Sequence, residues 1–133
     1  MAGVIYVAAA LMVNSEGKAL LVRKQGTRAF MQPGGKIEDG EQPRQALVRE
    51  LAEELNIVVG LHVPIYLGTY TAAAANEPGW SVQCELFRLD TDKTVIPAAE
   101  IAEAVWVDAS DLNDLDLAPL TRDLVLPLHF NLR

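Results

Sequence analysis

Three glutamates carry the first chemical signal in this sequence. Glu50, Glu53 and Glu54 lie in a stretch where Leu47, Leu51 and Leu55 recur every four residues with Val48 beside them. That period predicts a helix from Glu41 to about Asn56 with one apolar face. At roughly 100° per residue the three carboxylates share a face, expected to lie opposite the Leu51 and Leu55 stripe. Like charges spaced this way repel and destabilise a helix, so something must offset the cost. A divalent cation would do so, and oxygen-only ligands suit Mg²⁺ or Mn²⁺. Arg49 lies about 40° from Glu53 on the helical wheel and could pin one carboxylate while the others face the metal.

The elements around this helix must position the rest of a site. Gln32-Pro33-Gly34-Gly35 is a stretch no helix could include. A glycine loop ahead of a helix can bring backbone carbonyls against a metal and N–H groups against an anion. Residues 1–37 hold Lys18, Arg23, Lys24, Arg28 and Lys36 against Glu16 alone, a local charge of +4. Arg23 and Lys24 close the strand before the glycines and could reach phosphates, Arg23 being the first choice. Phe30, Tyr70, Trp80 and Phe87 could stack on a base. Trp80, after the Pro78-Gly79 turn, is expected to be the most exposed of them.

Val4 to Val13 is uncharged and rich in small and β-branched residues, and predicts a strand buried on both faces. A turn at Asn14–Gly17 leads to a second strand at Ala19–Arg23. Asn56 closes the helix, as Asn tolerates the left-handed conformation. Alternation then predicts strands from Val63 to Tyr70, around Val82–Phe87 and at Ala104–Val107, with a turn region at Ala72–Gly79. Asp108–Leu112 reads as a capped helical turn. Leu117, Leu120, Leu124 and Leu128 predict a last helix, with Pro119 in its first turn and Pro127 ending it. The fold class is α/β (α+β), a mixed sheet with helices packed on it.

The 133 residues, half of them hydrophobic, make one globular domain spanning 1–133. A net charge of −7 argues against a binder of bulk nucleic acid or of anionic membrane. The longest apolar run is too short for a bilayer span, and no basic residue precedes it as in a leader peptide. Cys84 is the only cysteine, so a disulfide framework is excluded and a cytoplasmic setting is expected.

Residues 35–57 resemble the Nudix box: Gly35, Glu41, Arg49, Glu50, Leu51, Glu53, Glu54 and Ile57 all fall in register. Asn56 stands where the family has Gly. The order of elements is also similar to the family's α/β/α sandwich. The resemblance implies Mg²⁺-dependent (or Mn²⁺-dependent) hydrolysis of a nucleoside diphosphate linked to another group X. It implies metal ligation by Glu50 and Glu54, with Glu53 a further ligand or the partner of a bound water, and a carbonyl of Gly34 or Gly35 in the shell. Arg49 would orient Glu53, Glu41 would support the loop, and Glu53 or Glu50 would act as general base. A later loop often adds a carboxylate; Glu100 is the candidate and Glu103 its competitor. The small size favours nucleoside triphosphates, oxidised ones included. ADP-ribose, dinucleoside polyphosphates and a non-catalytic nucleotide-binding role are the alternatives. The implied partner is a small nucleotide, and the implied state a monomer or homodimer.

Overall fold

The computed structural model describes residues 3–130. Six strands form one mixed sheet: β1 (Val4–Val13), β2 (Ala19–Lys24), β3 (Gly34–Lys36), β4 (Ile65–Ala73), β5 (Ser81–Asp90) and β6 (Ile101–Val107). The strand order is β4-β5-β1-β2-β6, with β3 also paired to β1. Only β1 and β5 run parallel; the other pairs are antiparallel. Helix α1 (Pro43–Leu55) covers one face of the sheet. A C-terminal helical segment covers the other, a π turn at Thr121–Val125 running into α2 (Leu126–His129).

The period-two alternation of β1 divides the core between these layers. Ala8, Ala10 and Met12 pack with Leu47, Leu51 and Leu55 of α1. Ala9, Leu11 and Val13 pack with Leu120, Val125 and Leu126. Both faces are therefore apolar, which produces an unbroken hydrophobic run. Burial on both faces holds only from Ala8 onward, however; Val4 and Tyr6 are exposed.

The glycine stretch is not a loop. One edge of β1 is shared: Val13 pairs with Ala19 of β2, whereas Val7, Ala8 and Ala9 pair with Lys36, Gly35 and Gly34 of β3. Strand β2 diverges from β1 after its first pair and continues along β6. Strand β3 fills the gap, which draws two glycines into the middle of the sheet.

Helix α1 begins at Pro43, later than the apolar period suggested. Pro at the first turn is favoured because its missing N–H would be unpaired there. Gln45 accepts a hydrogen bond from the Gln42 backbone N–H at 2.9 Å, which closes the N-terminus. Glu41 thus lies before the helix. At the other end Asn56 adopts φ 57°, ψ 33°, and its amide donates to the Ile96 carbonyl at 2.8 Å. Asn56→Ala should lose that bond and force a Cβ-bearing residue without a compensating side chain into the left-handed region. We expect a loss of roughly 1–2 kcal/mol in urea denaturation.

Two other boundaries shift. Strand β4 starts at Ile65 rather than Val63 and runs to Ala73, with a register shift between Tyr66 and Gly68 that breaks the expected alternation. Pro127 does not end the last helix. The Leu126 N–H bonds to the Thr121 carbonyl, five residues back. This wider turn just before Pro127 makes room where the proline ring would meet the preceding turn.

Candidate active site

Arg49 is the hub of the carboxylate cluster. Its Nε and Nη2 donate to both oxygens of Glu41, at 2.8 and 2.9 Å. Nη1 donates to Glu50 at 2.7 Å, and Nη2 to the Lys36 carbonyl at 3.1 Å. The contact to Glu53 is longer, 3.4 Å. One guanidinium therefore ties the residue before α1, the helix itself and β3 together. The paired fork holds the Glu41 carboxyl down to about 2, because Arg49 and the Glu38 N–H both bond its charged form. The hydrogen bonds and charges of Glu41 and Glu50 hold Arg49 above the usual arginine range. Arg49→Lys keeps the charge but loses the planar fork. We expect it to cost roughly 1–3 kcal/mol in thermal or urea unfolding.

Glu54 is not on the solvent face. On the helical wheel it lies about 20° from Leu47, and it is only 3% exposed, buried with Ala46, Leu47, Leu51 and Leu55. The expectation that all three glutamates oppose the leucine stripe is thus corrected. Glu50 is mostly covered and Glu53 open, with side chains 14% and 54% exposed. Burial pushes the Glu54 carboxyl up to about 8, and the nearby charges of Glu50, Glu100 and Glu53 add to the rise while Lys24 opposes it. Glu54 Oε2 is sealed from solvent without a hydrogen-bond partner.

Glu100 reaches this cluster by a specific route. The Ile96 and Ala98 N–H groups bond the Leu55 and Glu54 carbonyls at 3.0 and 2.8 Å, docking residues 96–98 on the end of α1. Ala99 then turns through φ 53°, and the Glu100 carbonyl accepts from the Gln25 N–H at 2.8 Å. Lys24 Nζ sits 3.5 Å from Glu100 Oε1. Glu103 points elsewhere, since its carboxylate accepts from Arg23 Nε at 2.8 Å.

Gly34 and Gly35 allow the closest contacts in the site. A Cβ on Gly35 would fall 2.4 Å from the Glu50 carboxyl carbon, so the glycine lets that carboxylate lie against the strand. On its other side the pair lines a cleft between β1, the β4–β5 hairpin and the C-terminal helix. Lys24 and Lys36 line the same cleft.

Arg23 does not reach the cleft; it is committed to Glu103 and to the Thr27 carbonyl. Trp80 is exposed as expected, but its ring lies over Gly3 and outside the cleft lining. Phe30 and Phe87 are core residues, and Tyr70 packs against the core. Gln32 and Thr121 line the cleft and were not legible as site residues, since Gln and Thr have no distinctive spacing.

The donor set fits a hard divalent cation: Glu50, Glu54 and Glu100 offer only oxygen, and Glu54 Oε2 lacks any other partner. Among the described residues no three acidic, His or Cys side chains already converge on one point. Arg49 binds Glu50 through Oε1, which leaves Oε2 as the oxygen that could ligate a metal.

Known proteins are similar to this chain in sequence and fold. A family model described as the NUDIX domain matches residues 5–127. The chain is 32% identical to the CTP pyrophosphohydrolase of Escherichia coli over 83% of this chain and 81% of that one. It is 42% identical to the 8-oxo-dGTP diphosphatase of Haemophilus influenzae, but over 47% of this chain and 48% of that enzyme. The chain thus spans about half the length of that relative. Among solved structures, the MutT protein of Methanosarcina mazei superposes with a TM-score of 0.75 at 24% identity, covering 93% of this chain and 91% of that one. With residues 5–127 matched and the sheet, helix and carboxylates in place, the chain belongs to the Nudix family.

Proposed function

We propose that this protein is a divalent-metal-dependent pyrophosphohydrolase of nucleoside triphosphates. The observation that carries the reading is the orphaned, buried Glu54 Oε2 beside Glu50 and Glu100, next to a cleft floored by Gly34 and Gly35. Relatives named for CTP, 8-oxo-dGTP and RNA pyrophosphohydrolysis support the reaction class.

In this reading Glu50, Glu54 and Glu100 hold the metal, with a carbonyl of Gly34 or Gly35. Bound Mg²⁺ or Mn²⁺ would neutralise the diphosphate and lower the pKa of an attacking water. Lys24 and Lys36 draw the phosphates along the cleft. Arg49 holds Glu41, Glu50 and the β3 backbone in one geometry. Glu53, exposed and only loosely tied to Arg49, accepts the proton from the attacking water.

Hydrolysis of a panel of nucleoside triphosphates, 8-oxo-dGTP, ADP-ribose and dinucleoside polyphosphates, with Mg²⁺ and with EDTA, tests the proposal. Triphosphate turnover with pyrophosphate release, lost in EDTA, is the expected result. Preferred turnover of ADP-ribose or a dinucleoside polyphosphate would correct the substrate, and binding without turnover of any compound would sink the enzyme reading.

A further inference from the structure

Strand β4 lies at one edge of the sheet, and none of its nine residues is buried. No described strand pairs with its outer side. Such an edge presents a row of unpaired N–H and C=O groups to any other strand. Proteins blunt these edges with short strands, prolines or charges. β6, the opposite edge, is seven residues long and carries Glu103. β4 is longer and holds neither a charge nor a proline.

Exposed apolar surface gathers at the same place. Among the described residues, six of the eleven exposed large hydrophobic side chains are Val58, Leu61, Val63, Ile65, Tyr66 and Leu67. They occupy both faces of the edge. Tyr66 lies on the α1 side, its ring 5.3 Å from that of Phe87. Ile65, its neighbour in the strand, points to the other face. A partner docked on one face would leave the other wet, whereas a strand added to the edge continues both. The chain holds 11 basic and 18 acidic residues, yet none falls between Ile57 and Asn76, its longest uncharged stretch. Charges beside the strip are tied back. Arg44 donates to the Leu61 and Pro64 carbonyls, Glu85 accepts from Tyr66 and Thr69, and Arg88 donates to Asp90.

We propose that β4 pairs antiparallel with β4 of a second copy of this chain, joining two sheets into one across a two-fold axis. Charge and symmetry select this occupant. Each copy carries −7, so two copies repel unless they meet at an uncharged surface. A strongly basic or acidic partner would find no counter-charge on the strip. One neutral strand laid antiparallel on itself is self-complementary, as a two-fold interface requires. Residues 58–73 supply 16 positions, close to the roughly 20–30 a side of a standard interface.

Light scattering during gel filtration, in EDTA and without nucleotide, tests the pairing independently of any hydrolysis. The proteins compared are wild type, Ile65→Lys combined with Leu67→Lys, Thr71→Lys, and Val4→Lys as control. Wild type at high micromolar concentration should elute at twice the chain mass. The β4 variants should elute as monomers, their dissociation constants raised by about tenfold or more. Each added lysine lowers the net negative charge and would by itself ease association, so loss of the dimer points to the edge. Val4 is exposed on β1, outside the strip, and its variant should remain dimeric. Hydrogen exchange of wild type should show β4 amides losing protection on dilution while β6 amides do not. Wild type that stays monomeric would overturn the inference. So would a dimer that survives every β4 lysine, or one whose β4 amides exchange alike at all concentrations. Should the lysine variants fail to fold, the dilution experiment on wild type decides alone.

Discussion

Glu54→Gln is expected to lower hydrolysis by roughly a hundredfold or more while the protein stays folded. The amide copies the carboxylate's shape and removes its charge, so packing against Leu47 and Leu51 is kept and metal ligation is weakened. The same change should alter the pH dependence of stability in metal-free protein. Burial raises the Glu54 carboxyl from 4.5 to about 8 in the folded state. A raised folded value means that the folded protein binds this proton more tightly than the unfolded chain does. Its contribution is therefore fully present below about pH 4.5 and is lost as pH rises through about 8. The loss is at most about 5 kcal/mol. Urea denaturation in EDTA at pH 5 and pH 9 should show wild type weakening at the higher pH and the Gln variant far less affected. Equal slopes in the two proteins would show that Glu54 is not the buried acid responsible. Full activity in the variant would move the metal site elsewhere.

Gly34→Ala should be the most damaging small substitution for the fold. A Cβ there would lie 2.2 Å from the Ala8 carbonyl oxygen and 2.6 Å from the Ala9 Cα. These are backbone atoms of the central strand and cannot rotate aside. The residue also has φ 149°, which a Cβ-bearing residue adopts only under strain. Together these cost roughly 2–5 kcal/mol. Gly17→Ala is the matched control: φ is 77°, but nothing lies within 4 Å of the added carbon, so only about 1–2 kcal/mol is expected. Urea midpoints of the two variants separate strain from collision. If Gly34→Ala were no worse than Gly17→Ala, the tight β1–β3 pairing would be wrong. Because β3 also carries Gly35 beside Glu50, Gly34→Ala should reduce activity along with stability.

Local signals were legible because they depend on local periods. The four-residue spacing of Leu47, Leu51 and Leu55 predicted α1, and Asn56 does adopt the left-handed conformation that its position demanded. The ten-residue apolar run predicted β1, and the second strand returned as expected. What failed depended on partners distant in the chain. A glycine pair reads as a loop until the gap left by β2 gives it a strand to pair with. Arg23 and Lys24 look equivalent in sequence, but the register shift between them sends one to Glu103 and the other towards Glu100 and Glu54. Arg49 was expected to serve Glu53, four residues on; its strongest partners are Glu41, eight residues back, and Glu50.

By itself the sequence determined the helix, its three carboxylates and its closing turn, since hydrophobic spacing and backbone preference act over a few residues. The tertiary structure alone decided which of Arg23 and Lys24 lines the cleft and which glutamine meets a threonine across it. Those outcomes come from strand register and layer packing, which join residues tens of positions apart and leave no mark in local spacing.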